Sequence, residues 1–133
     1  MKQIIQFLKE NPIFYLATVE GSVPRVRPLG FFMEFEGRLY FGVGDFKPVY
    51  RQLKENDQFE VSTTAQDKRW IRIRGKAVFD IRPEAQDAAF AVMPHLRERY
   101  TKVDGPRLSL FHVSQGEGII EGFDGFREVI AIP

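Results

Sequence analysis

Three cations and two glycines in the first half of the chain have the types and spacing that a phosphate group requires. Arg25 and Arg27 stand two residues apart, so on a regular strand both side chains leave the same face. Lys47 immediately precedes Pro48, a residue suited to the first helical turn. A helix N-terminus offers unpaired backbone N–H groups and the positive end of a dipole. Gly42 and Gly44 flank the turn before it and would let the backbone come close to a ligand. Arginine brings a fork of donors, lysine a compact charge, the helix its amides. Any one such cation is ordinary solvated surface; three around a glycine turn put a phosphate site beside that reading.

Other chemistries find less support. There is no cysteine, which excludes disulfides, thiolate catalysis and cysteine metal sites. His95 and His112 are not spaced as metal ligands and read as structural, so no metal is expected. Glu117 and Glu121 lie four apart around two glycines, with nothing to mark them as an acid–base pair. No Ser–His–Asp order, Walker loop or dinucleotide fingerprint is present. Trp70, Arg72, Arg74 and Lys76 alternate along one stretch, a face that could stack and neutralise single-stranded nucleic acid. A net charge of +1, from 19 basic and 18 acidic residues, argues against a nucleic-acid partner or an anionic membrane surface. Residues 1–10 are amphipathic and charged, unlike a signal peptide, and no apolar run nears the roughly 20 residues of a membrane span. The expected location is cytoplasmic.

The elements that must hold the cations follow from periodicity. Ile4, Ile5, Phe7 and Leu8 make a helical stripe that Asn11-Pro12 ends, since the residue before proline avoids the α region. Residues 13–19 and 23–35 read as strands joined at Glu20-Gly21-Ser22, with Pro28 requiring a sheet edge or a bulge. Glu36-Gly37 turns into a strand over 38–43, and Pro48 opens a helix to about Glu55, with Asp45 as its expected cap. Strands over 59–64 and 70–81 follow; in the second, Ile71, Ile73, Ala77, Phe79 and Ile81 share a face. Residues 83–93 read as a helix with a short continuation to Tyr100, then a loop at 102–106 and closing strands at 108–113, 119–122 and 126–132. The pattern predicts one domain over 1–133, mainly β with short helices: a six- to seven-stranded antiparallel barrel. Thirteen phenylalanines imply a thick core or apolar surface that awaits a partner. Phe31, Met33 and Phe35 are candidates for either, and Phe123 and Phe126 for a closing hairpin or a partner's wall.

Four runs occur in a telling order: Pro24-Arg25-Val26-Arg27-Pro28, Leu39-Tyr40-Phe41-Gly42, Lys47-Pro48-Val49-Tyr50-Arg51-Gln52-Leu53, and Trp70-Ile71-Arg72-Ile73-Arg74-Gly75-Lys76-Ala77. In them the chain resembles the pyridoxamine-phosphate-oxidase-like, FMN-binding split-barrel family, in its short branch. The resemblance is good over residues 7–80 and loose beyond.

That resemblance implies an FMN site in a split barrel, with deazaflavin as the alternative cofactor. Arg27, with Arg25 near, would face the FMN phosphate, and the backbone through Val26, Arg27, Pro28 and Leu29 would run beside the isoalloxazine. Lys47 would complete the clamp, with Gly42, Val43 and Gly44 beside the phosphate; relatives commonly carry Ser or Thr in the turn before the lysine, where this chain has Val43, Gly44 and Asp45, whose charge stands close to the dianion. Gln52 would add a polar contact, and Trp70 falls where relatives place a flavin-contacting residue. Arg72 and Arg74 read as salt-bridged surface, with phosphate contact as the alternative. The family places the flavin between two subunits, implying a homodimer. It also implies oxidation or reduction of a small organic molecule, with NADH or NADPH as electron donor; a non-catalytic flavin module, sensor or carrier, is the alternative. Residues 126–130 lack the Arg-x-His pattern of vitamin B6 oxidases, so pyridoxamine phosphate oxidation itself is not expected.

Overall fold

The computed structural model describes residues 1–100 and 105–133. The expected loop at 102–106 falls outside these except for Gly105 and Pro106. In chain order the elements are α1 (Lys2–Glu10), β1 (Phe14–Glu20), β2 (Val23–Leu29), β3 (Phe32–Phe35), β4 (Arg38–Gly44), α2 (Pro48–Glu55), β5 (Gln58–Thr64), β6 (Trp70–Asp80), α3 (Pro83–Val92), α4 (Leu96–Tyr100), β7 (Leu108–Glu121) and β8 (Arg127–Ile132). The strands pair in the order β2-β1-β5-β6-β7-β4-β3, all antiparallel, and β8 pairs with the second half of β7. The sheet does not close on itself, because its terminal strands β2 and β3 do not pair. This is a split barrel of eight strands, one more than the upper expectation.

Two segments divide differently from the pattern of residue types. The stretch over 23–35 is two strands, which leave Gly30 and Phe31 to cross from one end of the sheet path to the other. Pro28 faces Tyr15 on β2, an edge strand, so its missing N–H costs no ladder bond. Conversely, Leu108–Glu121 is one strand of 14 residues. Its Ser-Gln-Gly-Glu-Gly stretch resembles a loop, but it continues as strand opposite a bulge at Arg74/Lys76 of β6. The β3–β4 connection is a two-residue turn with Glu36 at φ 51° and Gly37 at φ 74°, the pair of positive angles that matches strand twist.

Most of the phenylalanine is core. Phe14, Phe41, Phe59 and Phe111 meet edge-on or tilted inside the barrel, with centroids 5.4–6.2 Å apart. The α1 stripe Ile4, Ile5 and Leu8 and the α2 stripe Val49 and Leu53 join them. Truncating one such ring costs about 3–5 kcal/mol. A second cluster lies on the outer face of β3 and β4, where Phe31, Met33, Tyr40, Leu108 and Leu110 pack against Ala85, Ala89 and Phe90 of α3 and Leu96 of α4. β4 is therefore covered on both faces, with Leu39, Phe41 and Val43 in the first core and Tyr40 in the second. That explains its unbroken apolar run. Phe31 and Met33 are core, and Phe35 packs against them. Ile81, expected inward, lies past the end of β6 and is 93% exposed. No helix among the described residues is long and apolar enough to cross a membrane.

A cation-lined candidate functional site

Where the barrel stays open, a cavity of about 910 Å³ forms. Its walls are β2 and the crossing residues to Phe31, the end of β4, the start of α2, and the stretch from Met93 to Tyr100. Arg25, Val26, Arg27, Pro28, Leu29, Gly42, Val43, Gly44, Lys47 and Gln52 all line it. Residues 20 apart in sequence meet because β1 and β2 form a hairpin and α2 packs against β1, with Gln52 bonded to Thr18 and Arg27.

Arg27 is the organised cation. Its Nη1 donates to the Leu16 carbonyl at 3.1 Å and to Thr18 Oγ1 at 2.7 Å, and its Nη2 to Gln52 Oε1 at 2.6 Å. Thr18 also donates to Gln52 Oε1 at 2.6 Å, and both residues are buried. Partial burial, and then the nearby Arg25 charge, push the Arg27 guanidinium below its ordinary value. Gln52 thus acts first on Arg27, holding it in place, while its own side chain reaches the cavity wall. Arg25 donates from Nη2 to Glu20 at 2.9 Å, and Arg51 donates to the same carboxylate at 3.4 Å. These hydrogen bonds, Arg25's first, hold the Glu20 carboxyl below its usual range. Lys47 makes no ion pair with a described residue; its Nζ lies 5.9 Å from the Phe46 ring centroid.

Several expectations need correcting. Asp45 does not cap α2, whose N-cap is Lys47 without a side-chain bond. Asp45 Oδ1 instead accepts from the Arg107 backbone N–H at 3.0 Å, which clasps the two strands' connections together. The carboxylate lines a separate hollow and not the cation-lined one. Gly42 and Gly44 make room for protein and not only for a ligand. A Cβ on Gly42 would meet Leu108 at 2.9 Å, and one on Gly44 would meet the Phe46 ring at 2.7 Å. Trp70 does not reach the cavity of its own chain; it packs on Phe123 with centroids 4.9 Å apart. Phe123 is 86% exposed, while Phe126 packs on the barrel core beneath Arg69. On the basic face beside Trp70, Arg72 pairs with Glu121 and Arg74 with Glu117.

Other wall residues carried no sequence signal. Glu20 looked like a turn, Arg51 like helix surface, and His95 like structure, yet Glu20, Arg51, His95, Arg99 and Tyr100 all line the cavity. Only the packing of α4 beside the opening puts the last three there. His112, by contrast, is buried in β7 with Nε2 3.0 Å from Arg38 Nη1, and burial first of all lowers its basicity.

An antiparallel sheet left open on one side, with a cation-lined hollow bordered by its edge strand β2, defines a split barrel. The chain belongs to the pyridoxamine 5'-phosphate oxidase family, whose model matches residues 1–117. A NimC/NimA family protein from Clostridium acetobutylicum is similar over 99% of this chain and 92% of that one, at 37% identity and a TM-score of 0.92. General Stress Protein 26 from Bacillus anthracis matches over 98% and 97%, at 14% identity and a TM-score of 0.76. A pyridoxamine 5'-phosphate oxidase-related, FMN-binding protein from Nostoc punctiforme matches over 99% and 95%, at 16% identity and a TM-score of 0.64. The last two likenesses speak to the fold alone. No curated protein matches the chain.

Proposed function

We propose that this chain binds FMN in the cation-lined cavity, as a homodimer, and oxidises or reduces a small organic molecule through it. The observation that carries the reading is convergence: a pre-positioned Arg27 and a Lys47 that makes no ion pair with a described residue border one hollow at a helix start. A phosphate between them would gain charge-assisted donors from both, together with the first-turn amides of α2. The volume lies near the top of the roughly 300–1,000 Å³ range of ligand sites, which suits a cofactor with room for a substrate. The backbone from Arg27 to Leu29, on an edge strand, leaves main-chain groups for the edge of a flat ring. An FMN-binding protein among the fold's neighbours agrees with this. When bound, the flavin would supply the electron chemistry; the chain's residues bind it, orient it and shape the space over it.

A second subunit is supported by the outward face of β1 and β2, where Tyr15 and Val26 stand exposed beside the cavity wall. Trp70, half-buried, and the exposed Phe123 packed on it would then be the aromatic pair one subunit lends to its partner's flavin.

The purified chain should take up FMN and show its absorption bands. The extracted cofactor should be FMN; a deazaflavin would betray itself by a blue-shifted band. NADH or NADPH should bleach the bands, and an acceptor should restore them. A protein that stays colourless in excess FMN would end the reading, and one that binds FMN but resists every donor would be a carrier or sensor.

Glu20 gives a sharper check. It pairs with the two outer arginines and is the one carboxylate among the described lining residues, so a phosphate dianion must compete with it. Glu20→Gln is expected to tighten FMN binding about two- to fivefold, the range of an exposed ion pair, and less so at high salt. Weaker binding in a calorimetric titration would show that Glu20 positions the arginines and does not compete.

A further inference from the structure

We infer that Thr18, which does not line the cavity, is a positioning residue: its hydroxyl fixes which edge of the Arg27 guanidinium is offered to the hollow, and through it the affinity for a phosphorylated flavin. This rests on the FMN reading above. An arginine carries five N–H donors in one plane, two on each Nη and one on Nε. The fold takes three of them in Arg27: both of Nη1, by the Leu16 carbonyl and Thr18 Oγ1, and one of Nη2, by Gln52 Oε1. Thr18 and Gln52 are themselves joined at 2.6 Å, so their oxygens stand side by side along the end of the guanidinium. The donors left over are Nε–H and the second N–H of Nη2, neither of which bonds a described residue. These two share the other edge of the plane and point the same way, the fork that reads two oxygens of a phosphate.

Thr18 is built for this task. It follows by two residues Leu16, which stands opposite Arg27 across the hairpin, so both acceptors of Nη1 come from one short stretch of β1. The residue is 2% exposed, and branching at Cβ restricts the direction of its hydroxyl. That hydroxyl accepts from Arg27 and donates to Gln52. Because Thr18 and Arg27 both donate to Gln52 Oε1, the amide is held with its NH2 toward Glu20, at 3.5 Å. Without the hydroxyl, one Nη1 donor has no acceptor and Gln52 loses a bond that fixes its amide. The guanidinium can then roll about its Leu16 contact, and the fork is offered over a range of angles instead of one.

FMN and riboflavin, titrated into the apoprotein while flavin fluorescence is followed, form the test, since riboflavin is the same ring system without the phosphate. Thr18→Val keeps the shape and removes the hydroxyl. It is expected to weaken FMN about tenfold, the effect of one hydrogen bond to a charged group, and to leave riboflavin within about twofold. Thr18→Ala loses the same hydroxyl with no bulk to place and should give the same ratio. Thr18→Ser keeps the hydroxyl and should hold FMN within about threefold of the unaltered protein. In an Arg27→Ala background, Thr18→Val should cost FMN nothing further. Equal losses of FMN and riboflavin would reduce Thr18 to a structural residue and overturn the inference. So would unchanged FMN affinity in Thr18→Val, no rescue by serine, or a full tenfold loss repeated without Arg27. An unaltered protein that binds both flavins equally, or neither, overturns the proposed function itself and this role with it.

Discussion

Replacing Arg27 and Lys47 together by alanine should lower FMN affinity by about 10²–10⁴-fold, since each charge-assisted contact to phosphate is worth about 1.5–3 kcal/mol. The two single variants should differ in a second property. Lys47 holds no ion pair with a described residue, so Lys47→Ala should weaken FMN and leave the thermal midpoint of the apoprotein unmoved. Arg27 is wired into the fold. Its removal strips Thr18 and Gln52, exposed by only 2% and 3%, of a donor each, and frees the Leu16 carbonyl. Arg27→Ala should therefore also destabilise the apoprotein, by about 1–3 kcal/mol. Arg27→Lys keeps the charge but not the fork, so it should recover little of either loss. Equilibrium dialysis with FMN and a melting curve of each apoprotein test this. A double variant that retains FMN with native affinity would remove the phosphate assignment.

The other large effect is expected far from the cavity. Gly116→Ala should lower the melting temperature by about 10 °C, which corresponds to about 3 kcal/mol in a domain of this size. A Cβ at residue 116 would stand 2.0 Å from the Arg74 carbonyl oxygen and 2.9 Å from the Gly75 Cα. Both are backbone, so no side chain can rotate away, and the bulge that lets β7 pass β6 would have to open. Gly30→Ala is the control: its Cβ would find nothing nearer than the Pro12 carbonyl oxygen at 3.9 Å. Equal midpoints for the two variants would show that the bulge yields without cost.

The types and order of residues settled a good deal alone. Period-two alternation, proline placement and the Glu36-Gly37 turn specify antiparallel strands, because these are local backbone preferences that survive any tertiary context. The same local logic placed Arg25 and Arg27 on one face and set Lys47 at a helix start, and these residues do line one hollow. Local logic could not tell whether residues 23–35 are one strand or two. The crossing at Gly30 and Phe31 depends on which distant strands complete the sheet. Nor could it see that Ser-Gln-Gly-Glu-Gly runs on as strand, since the bulge permitting it lies some 40 residues earlier.

The wall of the cavity shows the same division. Asp45 sits beside Lys47 in sequence and invited a role as helix cap, but the backbone at Arg107 takes its carboxylate. Glu20, Arg51, His95, Arg99 and Tyr100 come from a strand end, two helices and the turn before the second of them, whose relation no spacing encodes. Sequence determined which chemical groups this protein owns and the local shape of the elements that carry them. Tertiary packing alone decided which cations are neutralised and which are left facing the hollow, because a charge is spent or spared by neighbours distant along the chain.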